Sequence, residues 1–296
     1  VGHVSVEHSY RPFGAWDERT IIVEVWYPAK AAGDEPAQYL YASDSMASEG
    51  ADAAAPVHRD GYPVHVHSHG YQSWGAQSAF LMRHFASHGW IAAAPNHAGN
   101  LFGDHQSPLP TAHYVHRPLD MQEALDVVEG LGDVLSGEAD TSGVLVSGHS
   151  FGASYTVWAA AGAGYEGVEE SCQTGDGIED DEAGCSEEEL DAFLSGGLAD
   201  SRVAAGLPMA GTARQAFFGE GYLDAAAPML FQSGSEDGPE AAAAHYEASQ
   251  GYDLSWLELE GGCHQTFALG TCDTLETELG YSIVQGYAMA FARHTI

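Results

Sequence analysis

The sequence predicts an α/β protein with a mainly parallel, doubly wound sheet. Three observations carry this. Short apolar runs rich in β-branched and aromatic residues alternate with stretches of helical spacing, which is the pattern of parallel strands joined by crossover helices. The chain has 296 residues, 45% of them hydrophobic, enough for one large domain over 1–296. At 144–161 an apolar run, a glycine-bounded turn and an alanine-rich stretch follow one another directly.

The elements read in order as follows. Residues 20–27, Thr-Ile-Ile-Val-Glu-Val-Trp-Tyr, form a strand ending at Pro28. Residues 29–61 are polar, alanine-rich and aperiodic, and read as a surface connection. Residues 63–68 make a central strand. Helical spacing then runs through Phe80, Leu81, His84 and Phe85, with Gly89 as its stop. A buried strand at 90–94 is closed by Pro95, and a loop covers 96–116. Apolar residues Leu119, Met121, Leu125, Val128 and Leu131 predict a helix over 119–135. Past the turn at 148–152, residues 163–200 are acidic, glycine-rich and carry two cysteines, and read as an excursion outside the core. Strands at 202–209, 228–232 and 254–259, with helices at 240–250 and 277–293, complete the alternation.

The turn is Gly148-His149-Ser150-Phe151-Gly152. A strand, G-x-S-x-G and a helix in that order describe the nucleophile elbow of the α/β-hydrolase fold. A side chain at Gly148 or Gly152 would collide with its neighbours in so tight a turn. The strained serine is lifted from the sheet, and the following helix start favours negative charge beside it. The bland alternative is a serine that merely caps the helix.

A serine hydroxyl needs a base to take its proton and an acid to orient that base. In this fold the order is Ser, then Asp or Glu, then His, each after a strand. Asp237 lies in Ser233-Gly-Ser-Glu-Asp-Gly-Pro239, after the 228–232 strand, with Glu236 as the fallback acid. His264, in Glu260-Gly-Gly-Cys-His-Gln265, follows the last strand. The Phe151 amide supplies one donor for a developing oxyanion, and the Tyr71 amide, after the strand ending at His69-Gly70, supplies the second. Tyr71, Trp74 and His149 are the expected substrate contacts. His65, His67 and His69 alternate along a strand, yet no partner cluster completes a metal site, and neither metal nor cofactor is expected.

Forty-three acidic residues stand against nine basic ones, with a formal net charge of −34. Nucleic acid and anionic membranes would be repelled. Low lysine with high acid points to a salty habitat. No run of about twenty apolar residues is present to span a membrane. The first residues show no basic start followed by an apolar segment, so any secretion signal is expected to be already removed or never to have been present. The four cysteines fall as Cys172/Cys185 and Cys263/Cys272, and neighbour bridging is the expected pairing, with free thiols as the alternative. Within the acidic excursion, Asp176, Glu179, Asp180, Asp181 and Glu182 read as solvated charge rather than a calcium loop.

Several motifs together carry a family resemblance. His-Ser-His-Gly (67–70), Ala-Pro-Asn-His-Ala-Gly-Asn (94–100), Arg-Pro-Leu-Asp (117–120) and Gly-His-Ser-Phe-Gly (148–152) resemble the bacterial serine esterases grouped as predicted dienelactone hydrolases, related to platelet-activating-factor acetylhydrolases. Val-Glu-Val-Trp-Tyr-Pro-Ala (23–29) is similar to that group's first-strand signature. Gly-Tyr (70–71) and Gly-Gly-Cys-His (261–264) resemble site motifs of cutinases and polyester hydrolases. The resemblance implies carboxylic-ester hydrolysis with Ser150 as nucleophile, His264 as base and Asp237 as orienting acid. The departures bear on substrate. Dienelactone hydrolase itself has cysteine where Ser150 stands, and cutinase-like enzymes often have tryptophan where His149 stands. The expectation is a secreted or periplasmic monomer acting on short-chain or aromatic esters, polyesters such as PET included. Phospholipid-acyl hydrolase and thioesterase are the enzymatic alternatives, and a non-catalytic binding module is the other.

Overall fold

The computed structural model describes residues 1–13, 16–107, 109–175 and 184–296. In chain order the strands are β1 (Gly2–Tyr10), β2 (Arg19–Tyr27), β3 (Pro36–Gln38), β4 (Ser43–Glu49), β5 (Tyr62–Ser68), β6 (Ile91–Asn96), the small hairpin β7 (Asn100–Leu101) and β8 (Asp104–His105), β9 (Ala139–His149), β10 (Val203–Met209), β11 (Met229–Gly234) and β12 (Leu254–Leu259). The helices are α1 (Ala79–Ser87), α2 (Ala112–Glu129), α3 (Val157–Ala160), α4 (Val168–Thr174), α5 (Glu187–Leu194), α6 (Gln215–Phe218), α7 (Pro239–Ala248) and α8 (Thr277–Thr295).

Ten strands form one sheet in the order β12-β11-β10-β9-β5-β6-β2-β1-β4-β3. The six from β12 to β6 run parallel, and β2 and β1 continue the sheet antiparallel. Alternate residues feed opposite faces, as the two-residue period of a strand requires. Val144 and Val146 enter the core under α2 and α3, while Leu145 enters the core under α1 and α8. The chain leaves β5 toward β6 on one side and returns as β9 on the other. Ligands of open α/β sheets bind at the carboxyl ends of strands at such a reversal, and β5 and β9 end at Ser68 and His149.

Four expectations are corrected. Residues 29–61 are not only a surface connection, because β3 and β4 add two strands to the sheet edge. Their polar sequence hid them: in Ser-Asp-Ser-Met-Ala-Ser-Glu (43–49) only Ala47 and Ser48 are buried. Helix α2 starts at Ala112, ahead of the predicted 119, and carries Pro118 in its interior. A proline there forfeits roughly 3 kcal/mol, and burial of Tyr114, Val115 and Leu119 offsets it. Pro95 lies inside β6, opposite Val23, rather than closing it. The segment 163–200 is not wholly outside the core, since Val168, Phe193 and Leu198 are buried in it. Both expected disulfides form, Cys172–Cys185 and Cys263–Cys272. The carboxylates at Asp176 to Glu182 lie outside the described residues.

Candidate active site

The turn after β9 sets the site. Ser150 has φ +54°, a left-handed conformation that costs a non-glycine residue energy and persists only when its surroundings hold it. Its N–H donates to the Met209 carbonyl at 3.0 Å and its carbonyl accepts from the Ser154 amide at 2.8 Å. A Cβ on Gly148 would lie 2.4 Å from the Gly152 carbonyl carbon, and one on Gly152 would lie 2.1 Å from the Ser68 oxygen. Glycine is therefore required at both places. Gly211 presses on the turn from β10, where a Cβ would meet the Ser150 oxygen at 2.5 Å. The following helix opens as a π turn over 152–156 before α3, a local form frequent at functional sites.

Asp237 and His264 meet above β11 and β12. The imidazole Nδ1 lies 2.9 Å from the Asp237 Oδ2, both side chains being partly exposed. In the neutral imidazole, an Nδ1–H donated to the carboxylate leaves Nε2 as the acceptor. Glu236, the fallback acid, bonds the neighbouring Ser235 hydroxyl instead. The two loops touch through backbone: a Cβ on Gly234 would sit 2.2 Å from the Gly262 oxygen. Ser150 comes next to His149, whose ring centroid is 4.6 Å from that of His264.

Tyr71 and Phe151 border a cavity of about 410 Å³ together with Ser150, Ser154, Ala210 and Arg214. The peptide joining Gly70 to Tyr71 is held by His69. The His97 amide donates to His69 Nε2 at 3.1 Å, so Nδ1 carries the proton and donates to the Gly70 carbonyl at 2.7 Å. In a planar trans peptide the N–H points opposite the carbonyl, so the Tyr71 N–H faces away from His69. Phe151 is pinned by two guanidinium groups, Arg117 at 4.6 Å and Arg214 at 5.0 Å from its ring centre.

Two expected substrate contacts stand elsewhere. Trp74 packs edge-on against Tyr41 at 6.0 Å and is not part of the cavity wall. His149 is only 4% exposed, and its ring bonds Gln77 and the His264 carbonyl. Burial without an ionic partner pushes His65 down to about 3, and His65 and His67 share the Ser147 hydroxyl at 2.6 and 2.8 Å. Among the described residues no group of three or more His, Cys, Asp or Glu is arranged to hold a metal.

Sequence reasoning gave no role to Arg117, Asp120, Asn96 or Gln77. Arg117, fully buried, donates to the Ser68 hydroxyl at 3.0 Å, to Asn100 Oδ1 at 3.1 Å and to the His69 carbonyl. Asp120 accepts from Tyr10, from Arg19 twice and from His97, all within 2.8 Å. These donors hold its carboxyl far below the usual range despite burial. Asn96 fixes Gly75 N–H at 2.9 Å. The Arg-Pro-Leu-Asp run was a visible signal, but nothing in its spacing says which groups it meets.

A family model for chlorophyllase matches residues 43–170, less than half of the chain, including Ser150 but neither Asp237 nor His264. No curated protein matches. The ferulic acid esterase of Streptomyces cinnamoneus superposes with TM-score 0.62 at 18% identity, over 100% of this chain and 89% of its own. The chain has the α/β-hydrolase fold. A dienelactone hydrolase-like promiscuous phosphotriesterase from metagenomic libraries superposes on this chain with TM-score 0.55 at 14% identity, over 99% of this chain and 98% of that one. Esterase 2 of Thermogutta terrifontis gives TM-score 0.54 at 13% identity, over 96% and 94%.

Proposed function

We propose that this α/β-hydrolase is a serine carboxylic-ester hydrolase working through an acyl-enzyme on short-chain or aromatic esters. The observation that carries the reading is the Asp237–His264 hydrogen bond of 2.9 Å, together with a serine held at φ +54° in a cavity wall. Ser150 Oγ attacks the ester carbonyl carbon while its proton passes to His264 Nε2. The tetrahedral oxyanion is met by the Tyr71 and Phe151 amides, each such donor being worth ~3 kcal/mol. Collapse expels the alcohol, which takes the proton from His264. Water, deprotonated by the same nitrogen, then releases the acid.

Tyr71 lines the cavity, which suits an aromatic or flat acyl group, and polyester segments belong to the same substrate class. Two of the solved structures of similar fold are esterases, one of ferulic acid, in agreement with this range. Two disulfides suit a secreted or periplasmic setting. Purified protein is expected to turn over p-nitrophenyl acetate and to label with a fluorophosphonate. Ser150→Ala should lower the rate by at least ~10⁴-fold and abolish labelling. Retention of either by that variant would overturn the assignment.

A further inference from the structure

Gln77 belongs to none of the motifs, yet it touches all three parts of the site. It sits in the short 3₁₀ turn Gly75–Ser78 and is only 3% exposed. The Gly70 N–H donates to its Oε1 at 2.8 Å. Only the oxygen of an amide accepts, so Nε2 is the atom facing His149 Nδ1, to which it is hydrogen-bonded. An amide nitrogen only donates. Nδ1 of His149 therefore accepts, the ring proton resides on Nε2, and Nε2–H donates to the His264 carbonyl at 2.9 Å. Each link fixes the next, and reversing one would set two acceptors or two donors against each other.

The surroundings fit a neutral ring. Burial is the largest influence on His149 and pushes it down to about 3. The titratable groups facing it are His264, Asp237 and His67. The same turn grips the segment after the base, with the Leu269 N–H on the Gln77 carbonyl at 2.7 Å and the Ser78 hydroxyl on the Phe267 carbonyl at 2.9 Å. A Cβ on Gly70 would come 3.1 Å from His149 Nδ1 and 3.4 Å from Gln77 Oε1, so glycine leaves room for the bridge.

We propose that Gln77 and His149 are positioning residues, forming a neutral amide–imidazole bridge that sets the spacing between the Tyr71 donor, Ser150 and His264. His149 thus acts from beneath the site instead of contacting substrate. The inference rests on the ester-hydrolase reading above.

Three measurements test it. Gln77→Leu removes both links and should lower kcat on p-nitrophenyl acetate by ~10²-fold, with KM within about twofold, because misplacement of reacting groups is felt in the transition state. Gln77→Glu is the sharper test. The new carboxylate still accepts from Gly70 but offers His149 no proton, so the bridge closes only when His149 carries two. Activity should then be present at lower pH and lost as pH rises, an alkaline limb that the unaltered protein lacks. A Gln77→Glu profile identical to that of the unaltered enzyme, or Gln77→Leu within threefold in kcat, would overturn the proposal. Should the variants not fold, ¹⁵N NMR of the histidine-labelled native protein decides. The expected result is His149 as a fixed Nε2–H tautomer from pH 5 to 9, and an Nδ1–H tautomer or a titration in that range would overturn it. Activity surviving Ser150→Ala sinks the esterase reading but leaves that tautomer unaltered, so the two failures are distinguishable.

Discussion

At the scale of single residues, the division of labour between the two adjacent carboxylates is decided by geometry. Asp237 is 2.9 Å from His264 Nδ1, while Glu236 is turned to Ser235. Removing the charge of Asp237 with Asp237→Asn keeps the shape but lets the amide donate, which favours the wrong tautomer of His264. The expected loss in kcat is ~10³–10⁴-fold, as in serine hydrolases of other folds. Glu236→Gln should leave kcat within about twofold. Steady-state kinetics on one ester reads both variants, and equal losses would mean the acid is not assigned to one residue. The same scale explains Arg117, which keeps its charge although burial pushes it down to about 9. Its hydrogen bonds to Ser68, Asn100 and the His69 carbonyl replace the lost water.

At the scale of elements, the parallel half of the sheet was legible because its strands are buried runs between glycine and proline signals, and β12 ends where the alternation predicts. The elbow and the Asp237–His264 pair were legible for a related reason: each follows directly on such a strand. Edge elements were not. β1 reads Gly-His-Val-Ser-Val-Glu-His-Ser-Tyr, whose buried His3 pairs with Glu24 and Glu49, and a histidine in that role leaves no apolar signature. Nor was the Gln77–His149 bridge, since it depends on which turn docks against which loop. The Cys263–Cys272 bridge belongs at this scale. It closes the loop that begins beside His264 and also carries Thr266, whose hydroxyl accepts from the Cys263 amide at 3.0 Å. A loop of this length gives roughly 2.5–3 kcal/mol by chain entropy. The double change Cys263→Ser/Cys272→Ser should lower the melting temperature and, below it, reduce kcat by about tenfold through loosening of the base. Unchanged kcat in the folded variant would make this bridge a stability element only, the role expected of Cys172–Cys185.

For the whole molecule, two opposed electrostatic effects set the response to pH. A net charge of −34 repels itself, so added salt should raise the melting temperature at neutral pH by screening. Acid relieves that repulsion chiefly where carboxylates take up protons, below about pH 5. Before that point a second effect dominates. Burial pushes His65, His97 and His149 down to about 3, whereas in the unfolded chain each binds a proton near 6.5. Between those values the unfolded state holds more protons than the folded one, so stability is fully present above pH 6.5 and is lost as pH falls. Each such group contributes ~1.4 kcal/mol per pH unit, and three together about 4 kcal/mol, against a total of only ~5–15 kcal/mol for a typical protein. Urea unfolding at pH 7.5 and 5.5 is expected to show a marked loss at the lower pH. Because the cost comes from desolvation inside the sheet rather than from surface charge, raising the salt should leave that difference nearly unchanged. Stability that is level or rising toward pH 5.5 would mean these rings gain protons without leaving their sites, and the buried histidine network would have to be redrawn with charged partners.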